Sequence, residues 1–194
     1  MDFDKVLLER HCTRKFLKKD VNFHKIITIL ESATLAPAAG NIFSVRVVIV
    51  NEPKILEQLV DASAGQQFLN EVNYVLVVCS DPRQVVSSYG KRAENYVAQQ
   101  AGAAIENMFL ETINLGLDTC WVGAFDETMV KRLLHIPDFI KVEALLPIGI
   151  SLEKKIKKQH GERRKIDIKH IVYFNGYGLG AKRAKEWKDK KFEV

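Results

Sequence analysis

AENYVAQQAGAAIENMFLETINLGL, residues 93–117, decides the fold. It contains no proline, and Gly102 is its only glycine before the end. Val97, Ala101, Ala104, Ile105, Met108, Phe109, Thr112 and Leu115 recur three and four residues apart, the period of one helical face. Ala98, Ala103, Leu110 and Ile113 add apolar groups elsewhere, so the spacing predicts a helix covered on most sides. Its alanines let other backbones come close, which suits the central helix of a domain. Gly116 is a natural stop, and CWVGAF (Cys120–Phe125) follows. Gln99, Gln100, Glu106, Asn107 and Glu111 interrupt every apolar run, so the stretch does not read as a membrane span.

Outward from this helix, short apolar runs alternate with helical patterns. Phe3–Arg10, Asn22–Leu35, Lys54–Ala64 and Thr128–Leu134 carry helical spacing. Arg46–Asn51 (RVVIVN), Tyr74–Ser80 (YVLVVCS) and Glu143–Ser151 (EALLPIGIS) read as buried strands, with Ile166–Phe174 a weaker fourth. The alternation predicts an α/β or α+β sandwich. A length of 194 residues with 47% hydrophobic content allows a real core.

Charge and cysteine usage exclude some classes. The opening MDFDKVLLERHCTRKF is charged throughout, so no signal peptide is expected. Cys12, Cys79 and Cys120 are widely spaced and the five histidines do not stand at metal-ligand intervals, so the expectation is a reduced cytoplasmic protein without disulfide or metal. The net charge of +5 is concentrated in Lys154–Lys165 and Lys182–Lys191. Such clusters can bind phosphate or nucleic acid, but the first lacks interleaved aromatics that stack bases, which makes a nucleic-acid role the weaker reading.

Four segments carry candidate chemistry. Arg10-His11-Cys12-Thr13-Arg14 can bring two guanidinium groups to one oxyanion, and arginine's planar fork suits phosphate. Pro37-Ala38-Ala39-Gly40-Asn41 is small enough for backbone amides to approach a flat ligand. Trp121-Val122-Gly123-Ala124 follows the central helix, and Gly161-Glu162-Arg163-Arg164 is a second anion candidate. Taken alone, each also reads as ordinary loop, core or solvated turn. Gly176-Tyr177-Gly178-Leu179-Gly180 mimics a dinucleotide loop, but its glycine spacing and its place near the C-terminus are wrong. Cys12 or Cys120 could serve as a nucleophile with His11 or His135 as base; no local signature supports this, and buried structural thiols are the expectation.

In this order, the pieces resemble the nitroreductase family of FMN-dependent oxidoreductases. The family's opening Arg-Arg/His-Ser-x-Arg/Lys segment is matched by Arg10, His11, Cys12, Arg14 and Phe16, with Cys12 where serine is usual. Its Ala-Pro-Ser-Ala-Gly-Asn loop is matched by Ala36, Pro37, Ala39, Gly40 and Asn41, while Ala38, Phe43, Ser44 and Val45 depart. Gly65-Gln66 resembles a Gly-Gln segment of the family. Gly116, Leu117, Trp121, Gly123 and Phe125 reproduce Gly-Leu-x-x-x-Trp-x-Gly-x-Phe, and Gln100 replaces a common aspartate. Pro147-Ile148-Gly149 and Arg163-Arg164 complete the set.

The resemblance implies an α+β fold with a mostly antiparallel central sheet flanked by helices, and a long central helix at a homodimer interface. The domain would span residues 1–175, followed by a basic tail over 176–194. FMN would lie at the interface, its phosphate and ribityl chain held by Arg10, His11, Cys12 and Arg14 with Arg163 or Arg164. Pro37, Ala38, Ala39 and Asn41 would line the ring from the partner subunit, Gln66 would join the site, and Val122, Gly123 and Ala124 would follow the flavin edge. No side chain would be catalytic, since flavin carries the chemistry. The implied activity is ping-pong hydride transfer from NADH or NADPH to flavin and on to a small acceptor such as a nitroaromatic or quinone. The alternatives are an FMN-binding storage or redox-sensing protein, and a flavin-destroying or dehalogenating branch of the superfamily.

Overall fold

The computed structural model describes residues 2–152, 166 and 170–178. Contacts divide the chain into two units, Met1–Ile156 and Lys157–Val194. The first holds, in order, α1 (Phe3–Glu9), β1 (Phe16–Leu17), α2 (Phe23–Ala33), β2 (Val45–Val50), α3 (Pro53–Ala62), β3 (Tyr74–Ser80), α4 (Arg83–Tyr89), α5 (Ala93–Asn114), β4 (Asp118–Thr119), α6 (Glu127–Leu133) and β5 (Lys141–Ser151). The strands run β1-β5-β3-β2, with β4 also beside β5, and every pairing is antiparallel.

The sheet divides the core because side chains alternate along its strands. From β3, Val75, Val77 and Cys79 face one cluster with Leu56, Leu59, Leu69 and Val130, which belong to or flank α3 and α6. Leu76 and Val78 face the other, with Ile26 and Ile29 of α2 and Ala104, Ile105 and Met108 of α5. Helices therefore cover both faces, and the unbroken apolar run YVLVVCS is a strand buried on both sides. The α+β sandwich predicted from alternation is the fold observed.

Local chemistry sets the ends of the helices. Asp2 caps α1 by accepting from Asp4 N at 3.1 Å, and Asn22 caps α2 by accepting from His24 N at 2.9 Å. Gly116, at φ 73°, ends α5: its N–H donates to Ile113 O at 2.9 Å and that of Leu117 to Thr112 O at 3.0 Å. This is a Schellman closure, and it turns the chain straight into β4.

Two expectations need correction. Ile166–Phe174 forms no strand in its described part; His170–Gly178 runs through turns, with positive φ at Asn175 and Gly178. Within one chain, α5 is not covered on most sides. Asn95, Ala98 and Gln99 are exposed, and Gly102, Ala103, Glu106 and Leu110 only partly buried.

The β5 edge opposite β3 carries the functional segments. Ile148 pairs with Tyr74 on one side and Thr119 on the other, while Ile150 and Ser151 pair with β1. β1 crosses so closely that a Cβ on Gly149 would lie 2.7 Å from the Phe16 ring and 2.8 Å from a Val72 methyl. Gly149→Ala should therefore destabilise the chain by about 1–3 kcal/mol through overpacking. A urea melt showing no loss would mean that β1 shifts freely.

Candidate functional site

Arg10 follows the last residue of α1, and its guanidinium lies over the Phe109 ring of α5, 5.5 Å from the centroid. Its Nε is 3.9 Å from Glu106 Oε1, a loose pair in which both side chains retain solvent exposure. The arginine is thus steered by α5 without a tight carboxylate partner in that pair.

His11 is fixed by contacts at both ring nitrogens. Nδ1 lies 2.6 Å from Glu9 O, so it carries a proton and donates, and Nε2 lies 3.0 Å from Thr13 Oγ1. Nε2 is also 3.8 Å from Oδ1 of buried Asp118, whose Oδ2 accepts from Ser151 N at 3.0 Å. Thr13 is fully buried and its N–H donates to Thr119 O at 2.9 Å. The segment 10–14 is therefore bound to the outer side of β4.

That pairing sets Cys12 beside Cys120. Cys12 is exposed and Cys120 is buried in the core, correcting the expectation of two buried thiols. The Cys120 thiol donates to Cys12 Sγ, and this contact, with the Trp121 N–H and the Arg10 and Arg14 guanidinium charges, outweighs desolvation to lower the Cys12 pKa to about 5. Cys120 moves in the opposite direction, held protonated by that same bond and by burial.

Beyond Cys120 the chain still follows β5: Val122 and Leu145 exchange both backbone hydrogen bonds at 3.0 Å. The Val122 amide is thereby spent, so the amides available to a flat ligand edge are those of exposed Gly123 and Ala124. Gln66 Nε2 donates to Ala124 O at 3.1 Å and Ser63 O at 3.0 Å, bringing two of the expected site residues together.

The loop 37–41 lies elsewhere. Ala39–Asn41 form a 3-10 turn with positive φ at Gly40 and Asn41. Gly40 is required twice over: a Cβ there would be strained at φ 57° and would sit 2.5 Å from the Tyr89 hydroxyl oxygen. Tyr89 packs edge-on against Tyr96 of α5, ring centroids 5.1 Å apart. The loop's exit is tied down by buried Gln100, whose Oε1 accepts from Ser44 N at 2.7 Å and from the Ser44 hydroxyl at 2.5 Å.

Gln100 and Phe109 therefore anchor the two segments to one helix. At about 100° per residue, nine residues carry Phe109 half a turn round from Gln100 and about 13 Å along the axis. Arg10–Arg14 and Pro37–Asn41 sit on opposite faces of α5. Arg163 and Arg164 lie outside the described residues, as do both basic clusters.

Two clefts are found apart from this surface. One, of about 420 Å³, is lined by residues that include Phe43, Arg46, Asp81 and Arg83; the other, of about 500 Å³, by residues that include Glu127, Lys131 and His135. Neither is lined by Arg10, Cys12 or Gly123. Among the described residues no helix is long and apolar enough to cross a membrane, and no cluster of three His, Cys, Asp or Glu could hold a metal ion.

Sequence reading singled out Gln100 only as a departure from the family and missed its hold on Ser44, as it missed Asp118 and the nearness of Cys12 to Cys120. Gln100 carried a signal as a polar residue on the helix's apolar side. The other two depend on β4, which no periodicity announces.

The family model described as the Nitroreductase family matches residues 7–150. A protein of Archaeoglobus fulgidus named as a candidate NADH dehydrogenase/NAD(P)H nitroreductase is 28% identical over 155 residues, covering 78% of this chain and 86% of its own. A Thermus thermophilus protein named NADH dehydrogenase is 25% identical, covering 79% and 89%. Among solved structures, an FMN-dependent nitroreductase of Clostridium difficile superposes with TM-score 0.73 at 22% identity, covering 89% of this chain and 98% of that one. With its ordered motifs on this fold and the model spanning most of its length, the chain belongs to the nitroreductase family.

Proposed function

We propose that this chain is an FMN-dependent oxidoreductase, working as a homodimer in which each flavin is shared by two subunits. The observation that carries this reading is the placement of the two expected half-sites on opposite faces of α5. A single flat cofactor touching Arg10–Arg14 and Pro37–Asn41 then draws one segment from each of two chains.

The donor set fits the cofactor. Arg10 and Arg14 present guanidinium groups beside a lone exposed thiol, a setting for a terminal phosphate. The loose Arg10–Glu106 pair leaves Arg10 able to turn to a dianion. Cys12 departs from the family's serine, and as a thiolate it would compete with phosphate for the same cations. A bound phosphate would thus raise the Cys12 pKa and return its proton.

When bound, FMN supplies hydride exchange, with NADH or NADPH as donor and a small acceptor such as a nitroaromatic or quinone in the vacated cleft. The protein's part is placement. His11, its tautomer fixed by Glu9 O, orients the anion-binding segment. Gln66 holds Ala124 O and Val122 is locked to Leu145, so the Gly123 and Ala124 amides keep a constant position at a ring edge. Donors fixed before charge develops stabilise it without reorganisation. The names of the relatives from Archaeoglobus and Thermus and of the Clostridium structure support the same assignment.

The test is the visible spectrum of the purified protein, before and after anaerobic NADH or NADPH. A flavin spectrum that bleaches with one nicotinamide, and recovers with a quinone or nitroaromatic, is expected. Flavin that stays oxidised would favour storage or redox sensing, and failure to take up added FMN would remove the proposal.

A further inference from the structure

The family assignment gives no role to the contact between Cys12 and Cys120. We propose that these residues form an oxidisable dithiol, in which Cys12 reacts with a hydroperoxide and Cys120 resolves the product as an intramolecular disulfide.

The geometry carries the assignment. The Thr13 N–H to Thr119 O hydrogen bond, at 2.9 Å, puts the peptide units next to Cys12 and Cys120 against each other. The two thiols act on each other more strongly than any other group does, Cys120 favouring the Cys12 thiolate and Cys12 holding Cys120 protonated. Cys12 is open to solvent and Cys120 is not, the asymmetry needed for one sulfur to meet an oxidant and the other to wait. Arg10 and Arg14 add positive charge, and the Trp121 N–H donates to the same sulfur. These are the surroundings of a reactive thiolate. Cys79 is an internal control: it is buried, and desolvation followed by the charges of Glu143 and Glu127 pushes its pKa up to about 11.

The chemistry balances with hydrogen peroxide as oxidant. Cys12 thiolate attacks one peroxide oxygen, the O–O bond breaks, and hydroxide leaves, giving Cys12–SOH. Cys120 sulfur then attacks Cys12 sulfur; the S–O bond breaks, and hydroxide departs with the Cys120 proton as water. Overall, two thiols lose two electrons and two protons, and one peroxide becomes two waters.

The reduced full-length protein would be treated with hydrogen peroxide at neutral pH, quenched with N-ethylmaleimide, and weighed after denaturation. The expected product carries one maleimide, added at Cys79 when the chain is denatured, on a chain about two mass units lighter than the reduced one, and yields a Cys12–Cys120 linked peptide that dithiothreitol separates. Cys120→Ala, chosen to keep the buried site apolar, should stop at a sulfenic acid on Cys12 that dimedone traps. In Cys12→Ser, Cys120 should be as unreactive as Cys79. Alkylation of Cys12 in the flavin-free protein should hold its rate from pH 8 to about pH 6, because there the thiolate is lost only below about pH 5. Wild-type protein in which Cys12 proceeds to sulfinic acid while Cys120 stays alkylatable would overturn the proposal. So would a Cys12–Cys12 link between copies, or three thiols that stay free. In the proposed site FMN phosphate would cover Cys12, so the oxidation is run with and without added FMN; the disulfide formed without added FMN tests the dithiol whether or not FMN binds.

Discussion

If the proposed dimer forms through α5, Gly102→Leu should yield monomers that do not retain FMN while each chain stays folded. A glycine inside a helix costs about 1 kcal/mol relative to alanine, so its place in the 22-residue α5 calls for a compensating contact. Among the described residues there is none: a Cβ at Gly102 would meet nothing within 4 Å. Asn95, Ala98 and Gln99, exposed on the same side, make a face of small or uncharged groups around Gly102, with Glu106 one turn on and partly buried. Such a face admits a second helix at short range. Leucine restores helix propensity but holds the second helix away, and overpacking of about 1–3 kcal/mol raises the dimer dissociation constant about 5- to 150-fold. Because the half-sites at Cys12 and Asn41 belong to different subunits in this reading, FMN is lost with the partner. Analytical ultracentrifugation and flavin content, read beside circular dichroism, make the check. A Gly102→Leu dimer with full flavin would remove α5 from the interface; a folded monomer with full flavin would show that one chain makes the whole site.

Legibility of this fold followed burial. α5 was readable because its buried residues, Val97 to Ile113, repeat at helical spacing, and β3 because both of its faces are covered. β1 and β4 are two residues each, too short for alternation to register, and exist because β5 has an edge to fill. Everything arranged by β4 was therefore hidden: the burial of Asp118, its bond to Ser151, and the meeting of thiols that are far apart in the sequence. The short helix α4 was missed for a related reason, since Val85 is its only buried residue. The spacing of Arg10 and Arg14 suggested an anion site, and the structure brings both guanidinium charges close enough to act on the Cys12 thiol. That Arg10 would rest on Phe109 depends on α1 ending one residue earlier, which no pattern in the sequence states.

Removing the Arg10 side chain separates the cofactor reading from a structural role. Arg10→Ala should weaken FMN binding about 10- to 100-fold, the loss of one charge-assisted contact of about 1.5–3 kcal/mol. Its cost to folding should be small. The Glu106 pair at 3.9 Å is partly solvated and worth at most about 1 kcal/mol, and the placement over Phe109 a similar amount. Arg10→Lys keeps the charge without the fork, so it should fall between the two, and its deficit should grow with salt as the remaining contact becomes purely coulombic. Arg83→Ala is the control. Arg83 is held by both Asp81 oxygens and lies 4.3 Å above the Phe139 ring, in a cleft that includes none of the 10–14 segment. Its loss removes the same formal charge, so flavin titrations of the two alanine variants separate a specific phosphate contact from a general change in net charge. Equal flavin affinity in both, with a lower melting temperature only for Arg10→Ala, would make Arg10 a brace for α1 on α5 and move the phosphate elsewhere.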